Sequence, residues 1–213
     1  PRSRSGGRRW LLLLGALGVA TGGLALWSAG PAGGPVDDRA AALALGPREL
    51  AGHGAEATVR RSVPPVDVAA VERGARVVTG GALPLPASRE VASYRMAETG
   101  EEVLHAVLLY DNPAQAADLD RLAAPLLGSA FGLSEGELSL AGAVDPRSWA
   151  GQGYQVATFR VGGTVHVVAT SSADAGRLRL LAEMARDKAL SSGAATPGTA
   201  TGATAPSAGP AGG

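Results

Sequence analysis

Tyr154–Val161 and Thr164–Thr170, YQVATFRV and TVHVVAT, flank Gly162-Gly163, and this stretch decides the fold. Two strand-length apolar runs joined by a two-residue Gly-Gly link read as a β-hairpin with a tight primed turn. The polar cluster that follows, with Ser171 or Ser172 as cap, starts a helix over 174–190. Leu178, Leu181, Met184 and Ala185 give that helix one apolar stripe, and Arg186 and Lys188 fall in its last turn, where cations suit the helix dipole.

The same order of elements occurs upstream. EVASYRMA (90–97) and VLHAVLLY (103–110) form a second hairpin around a Gly-containing turn. Asp111-Asn112-Pro113 then opens a helix whose Ala116, Leu119, Leu122, Ala123 and Leu126 share a face, with Pro125 set to kink or end it. Ser93-Tyr94-Arg95-Met96 matches Thr158-Phe159-Arg160-Val161, and Val103–Val107 matches Thr164–Val168. With a four-residue first loop, Tyr94 lies opposite His105, and with a two-residue second loop, Phe159 lies opposite His166. Each hairpin then carries a cross-strand aromatic–histidine pair. The expected architecture is α+β: two ββα units in an antiparallel sheet of at least four strands, with helices on one face.

Further out the signals weaken. Gly128–Gly153 is rich in Gly, Ser and acidic residues and reads as loop, with Trp149 its one large apolar anchor. Residues 30–56 read as a linker with one short helix over 39–45, stopped by Gly46-Pro47, before a folded domain over 57–190. Within that domain 57–63 reads as a strand and 67–73 as a helix. Residues 191–213 carry no charge and no large apolar side chain, so chain entropy wins and a disordered tail is expected.

At the other end, residues 10–29 (WLLLLGALGVATGGLALWSA) contain no charge. Twenty helical residues rise about 30 Å, the thickness of a bilayer core. Trp10 and Trp27 sit near the two ends, where indoles favour the membrane interface, and Arg8 and Arg9 close the basic segment 1–9. The positive-inside rule then puts the N-terminus in the cytoplasm and the domain outside the membrane. Three readings share this pattern: a retained single-pass anchor, favoured by the length and the Trp pair; a cleaved signal peptide; and a twin-arginine export signal.

Composition narrows the function. The chain has 19 basic and 19 acidic residues; without Arg2, Arg4, Arg8 and Arg9 the balance is 15 to 19, which disfavours nucleic acid as a partner. Cysteine is absent, which excludes thiol nucleophiles and thiolate metal sites. Lys188 is the only lysine beside 18 arginines, a bias expected of GC-rich, actinobacterial coding. No G-x-S-x-G, H-E-x-x-H or phosphate-cradling loop occurs. Asp118 and Asp120 stand two apart on a helix and so face different ways. Glu98, Glu101 and Glu102 at a hairpin tip read as solvated charge. His105 and His166, with Tyr94 and Phe159, are the candidate ligand-binding residues; a strand histidine against an aromatic is otherwise a packing unit. No metal site, cofactor or catalytic residue is expected.

The segment GYQVATFRVGGTVHVVATSSADAGRLRLLAEMA, residues 153–185, resembles the extracytoplasmic sensor domains of actinobacterial membrane serine/threonine kinases and related exported lipoproteins. The resemblance implies an exported α+β domain that binds something, and assigns no role to single residues. The expected function is therefore a non-enzymatic, membrane-anchored extracytoplasmic domain that contacts the lipid bilayer and binds a small ligand or an envelope protein. The alternatives are a secreted or structural cell-envelope accessory protein released by signal cleavage, and an unrecognised hydrolase.

Overall fold

A computed structural model describes residues 39–53, 86–121, 133–151 and 153–193. They form an α+β domain around a six-stranded antiparallel sheet in the order β1-β2-β6-β5-β4-β3. The strands are β1 (Ser88–Arg95), β2 (Glu102–Leu109), β3 (Ser134–Gly136), β4 (Val144–Gly151), β5 (Tyr154–Val161) and β6 (Thr164–Thr170). The helices are α1 (Arg39–Leu43), α2 (Pro47–Ala51), α3 (residues 113–121) and α4 (Ala175–Ser191). The basic segment 1–9 with Arg8 and Arg9, the apolar segment 10–29 with Trp10 and Trp27, the expected elements at 57–63 and 67–73, the Pro125 kink and the tail from 194 lie outside the described residues. Among the described residues no helix is long and apolar enough to cross a membrane.

The Gly162-Gly163 hairpin forms as the sequence requires. Phe159 stands opposite His166, and Val161 opposite Thr164. Gly162 takes φ +57, a region L side chains avoid, which is what a primed turn demands at its first central position. β6 lies between β2 and β5, and all of its residues are buried. A near-continuous apolar run is the signature of such a central strand, covered on both faces.

The first hairpin is shifted by two residues from expectation. Tyr94 faces Val103, and His105 faces Ala92. The cause is the turn: the Met96 N–H donates to the Glu101 carbonyl and the Gly100 N–H to the Met96 carbonyl, so the four-residue loop is 97–100. It closes where Gly100 supplies the positive φ, +68. A shift of two keeps every side chain on its face. Tyr94 and His105 are thus diagonal neighbours.

Helices cover both faces, not one. α1, α2 and α4 pack on the face that carries Ala92, Tyr94, Val103, Val107, Ala157, Phe159 and Val168. α3 packs on the opposite face, with Ala116 and Leu119 against Leu108, Tyr110 and Val165. The two helix entries differ by one residue. Asn112, which accepts from the Ala114 N–H at 2.9 Å, lies three residues past the end of β2. Asp174, which caps α4 by accepting from the Gly176 N–H at 2.9 Å, lies four past the end of β6. An extended chain changes face with every residue, so one residue more or less sends the helix to the other side. The capping residue is Asp174 and not Ser171 or Ser172.

The internal resemblance is therefore partial. β2 and β6 pair with His105 opposite Val168 and Val107 opposite His166, centred on Ala106 opposite Val167. That is two-fold symmetric for the matched segments. The symmetry ends at the offset first hairpin and at the opposed helices.

Two stretches read as irregular are built into the sheet and core. Residues 133–151 contain β3 and β4, where the sequence suggests loop. Asp145-Pro146 hides β4, because a proline inside a run argues against a strand unless it sits at a bulge. A bulge is what forms: Val144 pairs with Arg160 and Arg147 with Thr158, so Asp145 and Pro146 together oppose Phe159. Trp149 on β4 is buried as expected. Residues 39–51, read as linker with one short helix, hold α1 and α2, and Ala40, Leu43, Leu45 and Leu50 belong to the main core. Pro47 at the helix start and Glu49 accepting from the Gly46 N–H at 2.8 Å define α2. Lys188 of α4 pins it, donating to Glu49 at 2.7 Å and to the Ala44 carbonyl at 2.6 Å.

Candidate functional site

The four candidate residues do come together, inside the core. His105 and His166 lie on neighbouring strands with His105 Nε2 3.1 Å from His166 Nδ1, and both are fully buried. Phe159 stacks on His166, with ring centroids 5.0 Å apart and planes 3° from parallel. Tyr94 donates its hydroxyl to the Leu45 carbonyl at 2.6 Å, while the Leu45 N–H donates to His105 Nδ1 at 2.9 Å. The diagonal aromatic–histidine pair thus meets around the backbone of one residue, Leu45, in the link between α1 and α2.

The network has a direction, and it follows from one fixed donor. A backbone N–H can only donate, so His105 Nδ1 accepts and its proton sits on Nε2. Nε2–H then donates to His166 Nδ1, which leaves the His166 proton on Nε2, aimed at Thr164 Oγ1 at 2.9 Å. The Thr164 hydroxyl donates in turn to the Val161 carbonyl at 2.6 Å. Both imidazoles are neutral and all four ring nitrogens are used. Burial holds the His105 pKa well below the usual histidine range, with further contributions from His166 and Lys188. Burial alone pushes His166 down to about 3. A fully satisfied buried network rigidifies a core, and here it leaves no nitrogen for a ligand.

A hydroxyl 2.9 Å from a histidine nitrogen has the spacing of a nucleophile and its base. The roles are reversed: His166 donates to Thr164, and Thr164 is buried with its proton committed to Val161. Neither hydroxyl nor imidazole reaches solvent. The arrangement therefore cannot perform acyl transfer on an external substrate.

Among the described residues an open cleft lies elsewhere. A cleft of ≈ 480 Å³ runs between the first turns of α4 and the β3–β4 side of the sheet. Leu138 and Ser139, just after β3, form one wall; Ser148 and Ala150 of β4 with Gln155 of β5 form the floor; Ala175, Gly176, Leu178 and Arg179 form the other wall. Gln155 Nε2 donates to the Ser172 carbonyl at 3.1 Å, fixing the approach to α4 against the sheet. Beside it, Glu101 accepts from Arg177 Nε at 3.1 Å and from the Thr170 hydroxyl at 2.5 Å. This hairpin-tip glutamate, expected to be solvated, ties the β1–β2 turn to α4. The cleft mixes aliphatic walls with a few polar groups, the usual make-up of a small-molecule site.

Sequence reasoning misses this cleft because half of it comes from the stretch read as loop. The available signal is Ser148-Trp149-Ala150, small residues on either side of a buried Trp, which is the alternation of a strand. Among the described residues no group of His, Asp and Glu is arranged to hold a metal ion. No protein-family model matches the chain, and no curated protein matches it significantly.

Proposed function

We propose that the chain is an extracytoplasmic, non-enzymatic binding domain, tethered to the membrane by residues 10–29, that holds a small amphipathic ligand in the cleft between α4 and β3–β4. The observation that carries the reading is the contrast between two sites. The histidines, the strongest candidates for chemistry, are consumed in the core network. An accessible concave surface among the described residues is instead a cleft with aliphatic walls, in which no hydrogen bond pairs Ser139 or Ser148 with Glu137. A binding module fits that distribution, and the hydrolase alternative finds no support in it. The reading of a structural envelope protein without a ligand draws on the helices covering both sheet faces; the half-open cleft weighs against it.

The test is a fragment screen by NMR on the ¹⁵N-labelled chain. Bound fragments should shift the amides of Leu138, Ser139, Ser148, Gln155 and 175–179, and Leu138→Arg should abolish those shifts. A screen whose hits leave these amides unmoved, or that yields no hit, sinks the reading. Topology has its own test: protease added to intact cells should digest the domain and spare the N-terminal segment.

A further inference from the structure

The opposite face of the sheet carries a polar cluster that the cleft does not explain. Its centre is Thr158 on β5, 2 % exposed, whose hydroxyl has no hydrogen-bond partner. Arg147 lies directly across the strand pair from it, so their Cβ atoms are about 5 Å apart. Arg160 lies two residues along the same strand, and its Nε is likewise buried without a partner, while its Nη2 is 2.5 Å from Asp145. Asp120 of α3, 3 % exposed, is in electrostatic contact with Arg147, Arg160 and Asp145.

The β4 bulge borders this cluster. Arg147 keeps the register of the β4–β5 hairpin, opposite Thr158 and on its side of the sheet, and the extra residue falls just before it, at Asp145-Pro146. Asp145 takes φ +49 to make the bulge, rare for a residue other than glycine. Orphaned buried donors cost free energy and mark a place where something from outside the chain can bind.

The unused groups define the guest. Arg160 Nε–H and the Arg147 guanidinium donate, the Asp120 carboxylate accepts, and the Thr158 hydroxyl does either. The charges balance, Arg147 and Arg160 against Asp120 and Asp145, so a charged guest would leave one sign uncompensated. A neutral group that both donates and accepts fits, and adjacent hydroxyls fit best. Asp145, with its side chain 51 % exposed, leaves the rim open to solvent. We propose that Asp120, Arg147, Thr158 and Arg160 form a second binding site, for a small neutral polyol or a single sugar ring.

The experiment is an NMR titration of the full ¹⁵N-labelled chain with glycerol, myo-inositol and a panel of neutral monosaccharides, with acetate and phosphate as charged comparisons. Saturable shifts confined to the amides of Asp120, Arg147, Thr158 and Arg160 are expected from at least one neutral probe. Acetate and phosphate should produce none there. Thr158→Val keeps the side-chain shape, so it should fold, yet weaken the neutral probe roughly tenfold, the loss of one good hydrogen bond. Arg147→Gln, at a half-buried position, should do the same. If no neutral probe saturates, so that water alone occupies the cluster, or if an anion binds there instead, the proposal is overturned. It is equally overturned if both variants bind as the parent does. The cleft amides report separately in the same spectra, so failure here leaves the reading of the cleft untouched.

Discussion

Acidification should destabilise this domain through its two core histidines. Both folded-state pKa values lie below the ordinary histidine value, His166 at about 3 and His105 shifted in the same direction, each mainly through burial. The network permits no added proton: His105 Nδ1 accepts from the Leu45 N–H and His166 Nδ1 from His105. In the unfolded chain each imidazole titrates near 6.5. As pH falls below that value the unfolded state gains two protons that the folded state refuses, so stability falls with pH. The contribution is whole above pH ~6.5 and drains away toward the folded pKa values. Each histidine costs up to about 1.4 kcal/mol per pH unit, and the pair about 3 kcal/mol between pH 6.5 and 5. That is a large part of a typical domain stability of roughly 5–15 kcal/mol. Urea unfolding followed by far-UV circular dichroism at pH 7, 6.5, 6, 5.5 and 5 measures it. His166→Gln should halve the slope, whatever it does to the absolute stability. A stability that stays flat between pH 6.5 and 5 would refute the directed network, because the folded histidines would then be taking up protons freely.

Two further outcomes follow from close contacts. Gly163→Ala places a Cβ 2.7 Å from the carbonyl oxygen of Tyr110, the residue whose N–H donates to the Gly163 carbonyl at the β2 exit, so thermal unfolding should show a loss of about 1–3 kcal/mol. Lys188→Ala removes the donors to Glu49 and to the Ala44 carbonyl, and should cost about 1 kcal/mol while speeding amide hydrogen exchange in 39–51 and leaving β5 and β6 unchanged.

The parts of the fold legible in the sequence are those where a local signal and the tertiary result agree. Gly162-Gly163 between apolar runs yields the β5–β6 hairpin and the Phe159–His166 pair. The stripe of Leu178, Leu181 and Ala185 yields the buried face of α4. Misreadings arise where one residue decides. Glycine placement at Gly100 moves the first hairpin by two, and one residue less before Asn112 sends α3 to the other face. Asp145-Pro146 masks β4, because a bulge looks like a loop until its partner strand is known. The cleft depends on that strand. The four candidate side chains gather in the core, and the hydrogen bonds of His105, His166 and Tyr94 run to each other, to Thr164 and to the backbone. Partner identity of that kind depends on residues 45 and 164 meeting 105 and 166, which no local pattern encodes.

That meeting also sets a timetable. The relay from Leu45 through His105 to His166 joins a segment made early by the ribosome to one made late, with about sixty residues between successive partners. Until β6 has been synthesised, His105 has no acceptor within the chain for its Nε2 proton, and the core that α1 and α2 fill lacks the lining that β6 and α4 supply. Contacts of such long range slow folding and postpone it. The nascent chain therefore stays open until nearly the whole domain has emerged. A chain that remains unfolded that long is one that can be passed through a narrow conduit before it closes.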